Sequence, residues 1–336
     1  MAEPRISILM PFRNTAAFLE ECLASIRGQS HENWELITVN DHSEDASKTL
    51  LEKAAVADSR IRVLENTGTG IIPALRQAYA ASSGELITRM DSDDRMSPDR
   101  LETMAGELIR SGRGHLALGL VRYFSDAGVS DGYDRYEKWL NGLSASGENF
   151  SEIYKECVIP SPCWMVWRQD LDKSGAFLPD LYPEDYDLCF RFYRIGLQCL
   201  PATKVLHYWR DYAWRTSRTS EHYAQNYFLE IKTRYFLELD RQPSRPLVIW
   251  GAGYKGKKVA RLLLEAGEPF RWVCDNPRKI GKKIYGVRLE HYRAIFGLPQ
   301  PQSIITVANE AAQLEIKGVL GQLQLEQPKA DYFFFC

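Results

Sequence analysis

Between residues 5 and 90 the chain alternates short β-rich runs with segments of helical spacing. "RISILMPF", "WELITVND", "RIRVLEN" and "ELITRM" read as strands. "AAFLEECLASIRGQ", "SEDASKTLLEKAAVAD" and "IIPALRQAYAAS" between them read as helices, with Ser43 placed to cap the second. Such alternation builds a mostly parallel sheet with helices on both faces. Ligands bind such sheets beyond the carboxyl ends of the strands. Pro11 to Asn14, Asp41 to Asp45 and Asp91 to Asp94 all fall there, so three loops distant in sequence are expected to converge on one crevice.

A chain of 336 residues exceeds what one core usually organises, and two or three units are expected. "DRQPSRP" (Asp240 to Pro246) reads as a linker, after which the α/β pattern restarts. "LVIW" leads into Gly251-Ala252-Gly253-Tyr254-Lys255-Gly256, then a helical run, then a strand ending at Asp275. A G-x-G-x-x-G turn with an acid about 20 residues later is the pattern of a dinucleotide-binding unit. The expected division is 1–240 and 246–336, so residues 1–242 are expected to fold alone.

Acids number 44 and bases 42, which gives no general basic surface for nucleic acid. The seven cysteines form no C-x-x-C pair, as in a reduced cytosolic protein without a zinc site. No run approaches the ~18 apolar residues of a membrane span, so a soluble cytoplasmic chain is expected, with at most peripheral membrane association.

Two acidic knots stand out. Asp91-Ser92-Asp93-Asp94 closes the strand "ELITRM", and charges so crowded repel unless a basic side chain or a metal ion sits between them. In "LYPEDYDLCFRFYRIG", Glu184, Asp185 and Asp187 open a helix that later carries Arg191 and Arg194. Acids at a helix N-terminus suit the macrodipole, and Glu184 or Asp187 can pair with Arg191, so capping and catalysis are both open readings. "HYWRDYAWRTSRTSEHY" mixes His207 and His222 with Arg210, Arg215, Arg218, Trp209 and Trp214. It suits a diphosphate or sugar site, or ordinary packing and a solvated face.

The order P-F-R-N, N-D-H-S-E-D, G-E-L-I-T-R-M-D-S-D-D and P-E-D-Y-D-L-C-F-R resembles the inverting family 2 glycosyltransferases of GT-A fold, over residues 5–235. The resemblance implies a nucleotide-binding half (1–100) and an acceptor half (101–240). It implies that Asp41 accepts a hydrogen bond from the nucleobase and that Pro11, Arg13 and Asn14 line the nucleotide pocket. Asp91 and Asp93, with Ser92 between them, would form the D-x-D motif that holds Mn2+ or Mg2+ against the donor diphosphate. Asp185 would be the general base, with Glu184 orienting it or the acceptor. His207 would serve the metal or phosphate, or be structural, and Arg215 and Arg218 would touch the diphosphate or lie in solvent. The donor implied is a nucleotide sugar, UDP-sugar favoured, and the acceptor a glycan or glycolipid. The chain departs from the family at Asn40-Asp41-His42-Ser43, where Asp-Asp-Gly-Ser is frequent, and at Arg76, assigned to the donor pocket where Asn is frequent. It lacks the Q-x-x-R-W signature of processive enzymes, so single additions are expected.

The tail resembles small Rossmann-like domains of bacterial sugar-modifying enzymes, such as sugar acyltransferases. That implies nucleotide contact at Gly251, Gly253, Gly256 and Asp275; the same glycines otherwise serve a tight turn and close packing. A nicotinamide-dependent sugar oxidoreductase centred on this loop is the competing reading, and it leaves both acidic knots unexplained.

Overall fold

Apolar residues on both faces of the early strands call for cover on both sides, and the chain supplies it in the order expected. The computed structural model describes residues 3–125, 128–213, 215 and 228–336. The first unit begins β1 (Ile6–Phe12), α1 (Ala16–Arg27), β2 (Trp34–Asn40), α2 (Ser47–Ala57), β3 (Ile61–Glu65), α3 (Ile71–Ala81) and β4 (Leu86–Arg89). It continues with β5 (Arg95–Met96), α4 (Arg100–Ser111), β6 (His115–Leu118), β7 (Leu120–Phe124), α5 (Asp131–Ser146), β8 (Trp164–Trp167), α6 (Arg168–Lys173), α7 (Glu184–Arg194), β9 (Gln198–Cys199) and β10 (Val205–Arg210). The main sheet runs β3-β2-β1-β4-β8-β6-β9, and β5-β10-β7 form a small second sheet. β1 to β4 are parallel, whereas β8 runs antiparallel to both β4 and β6. All of β2 and nearly all of β1 are buried, as in a sheet covered on both faces.

Helix α2 starts at Ser47, three residues later than a cap at Ser43 would set it. The Ser43 hydroxyl is spent elsewhere, accepting from the Asn14 amide at 3.1 Å, and the turn before the helix is held by Asp45, which accepts from the Ser47 amide at 2.9 Å. At the carboxyl ends the pairings stop unevenly. β1 matches β2 out to Phe12↔Asn40 but matches β4 only to Leu9↔Arg89.

The opposite end of the sheet is closed by Glu35. Its buried carboxylate accepts from the Ser7 hydroxyl (2.6 Å) and from the amides of Ser83 (2.5 Å) and Gly84 (3.1 Å), and pairs with Arg5 at 3.1 Å. Gly84 fits because it lacks a side chain: a Cβ there would lie 2.6 Å from the Ser7 nitrogen and 2.8 Å from the Arg5 carbonyl oxygen.

The second unit gathers Ser151–Cys157 with Glu221–Cys336, leaving Met1–Phe150 and Val158–Ser220 to the first. Its elements are α8 (Leu229–Tyr235), prolonged by a π-helical turn over Phe236–Asp240, β11 (Leu247–Trp250), α9 (Tyr254–Glu265), β12 (Arg271–Cys274), β13 (Lys283–Ile284), β14 (Val287–His291), β15 (Gln302–Ile305), α10 (Glu310–Gln322) and β16 (Tyr332–Phe334). The sheet order is β13-β14-β12-β11-β15-β16, parallel except for β13. Tyr154 stacks on Phe335 at 5.4 Å and meets Phe236 and Phe333 edge-on, while Lys232 donates to the Lys155 carbonyl at 2.9 Å. The proline-bearing connection is itself anchored, by Arg241 on Glu268 and by Arg245 on Asp331. No helix among the described residues is long and apolar enough to cross a membrane.

Three outcomes follow from this packing. Gly84→Ala is expected to destabilise the first unit by about 1–3 kcal/mol through overpacking, read as a lowered melting temperature. Burial opposes ionisation of Glu35, but its bonds from Ser7 and Ser83 outweigh it and hold the carboxyl below its usual range. Its contribution is therefore complete above the unfolded value of about 4.3 and is lost as the pH falls through the lower folded value; Glu35→Gln should flatten that acid limb. A fragment ending at residue 242 strips Tyr154 and Phe236 of Phe333 and Phe335. It is expected to bind a hydrophobic dye or aggregate, where the full chain does not.

Candidate active site

Three loops are tied together at the carboxyl ends of β1, β2 and β4. Asn14, in the left-handed region at φ 52°, donates its amide to Ser43 and accepts from the Glu44 amide at 2.8 Å through its side chain. The Thr15 amide bonds the Ser47 hydroxyl at 2.9 Å, and the Thr15 and Ser92 hydroxyls meet at 2.9 Å. The convergence expected of Pro11 to Asn14, Asp41 to Asp45 and Asp91 to Asp94 is thus made of side-chain-to-loop bonds. His42, standing where glycine is frequent, takes a left-handed φ of 57° and sets its ring nitrogen 2.7 Å from the Gly68 carbonyl oxygen.

The acids here fall into two kinds. In the first, one carboxylate oxygen is held and the other is left without a partner among the described residues. Asp41 Oδ1 accepts from the Asn66 side-chain amide (2.7 Å) and the Gly70 amide (2.9 Å), leaving Oδ2 open. Asp91 Oδ1 is gripped by Arg89 at 3.1–3.2 Å. Asp93 Oδ2 accepts from the Tyr212 hydroxyl at 2.8 Å. Glu184 Oε1 accepts from Arg89 at 2.9 Å, while its buried Oε2 has no partner. Burial, then Asp94 and Asp91, push the Asp93 carboxyl up to about 7, and burial with the Asp185 charge raises Glu184 as well. Burial works against the charge of Arg89, but Asp91, Glu184 and Asp185 overcome it and keep the guanidinium protonated.

The second kind is sealed. Asp94 is 1% exposed and uses both oxygens, Oδ1 on the Arg210 amide (2.7 Å) and Oδ2 on His207 Nε2 (2.9 Å). His207 is fully buried; its Nδ1 lies 2.9 Å from Arg100, which can only donate, so the ring is neutral and Nε2 carries the proton to Asp94. Burial and Arg100 together hold its pKa well below the usual range. His207, expected as a metal or phosphate ligand, therefore has no nitrogen to offer and belongs to a structural chain Arg100–His207–Asp94. Arg100 fixes that chain by donating also to Thr88 and to the Arg89 and Pro162 carbonyls.

Other expected residues separate in the same way. Arg76, assigned to the donor pocket, instead binds the carbonyls of Phe177 (3.1 Å) and Leu178 (2.8 Å) and the Asp180 carboxylate (2.7 Å). Of the two partners open to Arg191, the structure selects Asp187, at 2.8 Å and buried, with further bonds to the Ser174 and Ala176 carbonyls. Asp185 is more exposed than Glu184 and accepts from the Tyr186 amide, one of the N–H groups of the helix's first turn, at 2.8 Å. Arg13 is exposed beside Pro11 at the end of β1. Arg215 lies among Asp94, Asp93 and Asp91, whose charges raise its pKa against the pull of burial. Trp209 stacks on Tyr123 at 5.1 Å and is packed rather than offered to a sugar. Arg218, His222 and Trp214 lie outside the described residues.

Sequence reasoning missed Asn66, Arg89, Arg100 and Tyr212, each of which positions an acid. Arg89 alone left a signal, as a base in a strand that otherwise reads as buried. Among the described residues no three His, Cys, Asp or Glu side chains form a metal cluster. What the chain offers a dication is the open oxygens of Asp91 and Asp93, hard ligands that fit a cation completing its shell from diphosphate and water.

In the second unit, Gly251 has φ 97° and donates its amide to the Val273 carbonyl, and a Cβ on Gly256 would stand 2.1 Å from the Gly251 oxygen. Close packing accounts for both glycines. Gly253 faces open space, and Asp275 is exposed after β12.

If His207 is structural, His207→Gln should lower thermal stability by about 1–3 kcal/mol, because it leaves buried partners unsatisfied. Affinity for manganese with a nucleoside diphosphate should change far less than in Asp93→Asn, as read by calorimetry.

Comparison with known proteins agrees with this geometry. The family described as Glycosyl transferase family 2 matches residues 7–175. EpsH of Bacillus subtilis strain 168, named as a glycosyltransferase, is 38% identical over 173 residues, 47% of this chain and 49% of that protein. The chain spans half or less of the length of the first curated relatives it matches. Among solved structures, S. aureus TarS 1-349 in complex with UDP-GlcNAc aligns with a TM-score of 0.53 at 18% identity, covering 77% of this chain and 71% of that one. The mannosyltransferase PcManGT of Pyrobaculum calidifontis, in complex with GDP-Man and Mn2+, aligns at 0.51 and 18%, covering 78% and 70%. These likenesses establish the GT-A fold, and the family match across half of the sequence places the chain in glycosyltransferase family 2.

Proposed function

We propose that the protein is a metal-dependent, inverting glycosyltransferase, acting in the cytoplasm, that moves one sugar from a nucleotide donor to a glycan or glycolipid acceptor of the cell surface. The observation that carries this reading is the set of acids at the strand ends with one oxygen held and one open. Such a carboxylate is oriented by the protein and still able to bind. Asp41 Oδ2 can accept a ring N–H, which uracil and guanine supply and adenine and cytosine do not; of the two we favour a UDP-sugar, and Pro11, Arg13 and Asn14 flank the same loop end. Asp91 and Asp93 would hold Mn2+ or Mg2+, which when bound would neutralise the departing diphosphate. Arg215, beside these acids, adds positive charge on the same side. The manganese and nucleotide sugars named in the two solved structures support a donor of this class.

On the acceptor side Asp185 takes the proton from the attacking hydroxyl, leaving the nucleophile to displace the diphosphate from the opposite face of the anomeric carbon. Glu184, fixed by Arg89 through one oxygen and buried at the other, orients Asp185 or the acceptor. The glycine loop of the second unit needs no dinucleotide chemistry, since Gly251 and Gly256 are accounted for by packing.

Calorimetry against UDP, GDP, ADP and CMP with and without manganese tests the donor; equal affinity under both conditions would rule out the metal. Asp185→Asn should lower turnover by roughly 10²–10⁴-fold with donor affinity and stability little changed, since Asn caps about as well as Asp. Asp187→Asn is the opposite case, because it weakens the buried pair with Arg191: a stability loss of about 1–3 kcal/mol and a smaller effect on rate are expected. Near wild-type turnover in Asp185→Asn would move the search for the base to Glu184.

A further inference from the structure

Arg89 ends β4, where it touches both acidic knots. The Nε and Nη2 edge of its guanidinium holds Asp91 Oδ1 at 3.2 and 3.1 Å, and Nη1 holds Glu184 Oε1 at 2.9 Å. Arg89 and Glu184 are 7% and 9% exposed, so water screens their contact little, whereas Asp91 reaches the rim at 24%. The guanidinium is a rigid planar fork that cannot lose its proton, so the orientation of one acid constrains the other. Its single positive charge is divided between a donor-side acid and an acceptor-side acid, each of which has a second oxygen without a hydrogen-bond partner among the described residues.

The geometry points to Arg89 as a positioning residue that couples the two sides of the reaction: what draws Asp91 away strengthens its hold on Glu184, and the reverse. This rests on the metal-dependent transfer reading above. A dication on the open oxygen of Asp91 would compete with Arg89 for that carboxylate and leave more of the guanidinium's charge to Glu184. Acceptor-side orientation is then firmest when the donor side is loaded. Conversely, neutralising Glu184 leaves Arg89 wholly on Asp91, where it opposes the dication.

The test needs no turnover. UDP binding to the full chain is measured by calorimetry, with and without manganese, in wild type, Glu184→Gln, Arg89→Met and the double variant. The expected result is that Glu184→Gln weakens manganese-dependent UDP binding by about 3–10-fold in the wild-type background and less than about 2-fold with Arg89→Met. Without manganese Glu184→Gln should have no effect. A direct field effect of the Glu184 charge would persist in both backgrounds, so equal fold-changes would overturn the coupling. Arg89→Gln, which removes the charge and keeps a polar side chain, replaces Arg89→Met if that variant does not fold, and it too should abolish the dependence. Wild type that binds UDP with manganese but shows no coupling would sink the role of Arg89 alone. Absence of any nucleotide binding would overturn the donor reading and this inference with it.

Discussion

Negative charge concentrated at one end of a parallel sheet is the constraint to which the rest of the first unit answers. Asp91, Asp93, Asp94, Glu184 and Asp185 would repel one another strongly in so dry a place. The chain admits them by threading positive charge and fixed donors among them. Arg89 stands between the two knots, Arg210 and Arg215 lie beside Asp93 and Asp94, and Arg100 reaches Asp94 through His207. The compensation is incomplete: burial, and then the charges of Asp94 and Asp91, keep the Asp93 carboxyl raised to about 7.

Much of this was legible in the sequence. The strand–helix alternation followed from spacing alone, and the D-x-D and E-D acids sit where strand ends and a helix start had placed them. What was not legible was which acid binds and which is buried. Asp93 and Asp94 are neighbours with the same side chain, yet the period of the backbone turns one toward Tyr212 and the other into the His207 chain. That distinction depends on residues 113–119 positions away, and no local pattern encodes it. His207 and Arg76 show the same limit. Their chemistry suits a site, but their partners, Arg100 in one case and the Phe177–Asp180 loop in the other, lie far along the chain.

The second unit shows the reverse weakness of sequence reasoning. Its glycine turn carries a fingerprint associated with nucleotides, yet the same residues are demanded by packing, since the Gly251 carbonyl and Gly256 approach within a distance no side chain allows. Motif and packing give one spelling to two causes. The segment Ser151–Cys157 joins this unit from the middle of the chain because Tyr154 belongs to an aromatic cluster otherwise built from residues 236–335.

The uneven ending of β1 has a consequence of its own. The Leu9 carbonyl receives the Met90 amide on the β4 side, and the Phe12 carbonyl receives the Asp41 amide on the β2 side. Alternation along the strand therefore turns the backbone edge of Pro11 toward β4, one step past the last β1–β4 pair. Proline has no N–H to give there. That rung of the β1–β4 ladder is missing whatever the chain after Arg89 does, while β2 remains paired to Phe12. A missing hydrogen atom thus loosens the join between the two central strands at the point where the loop after β1 and the acidic loop after β4 part company.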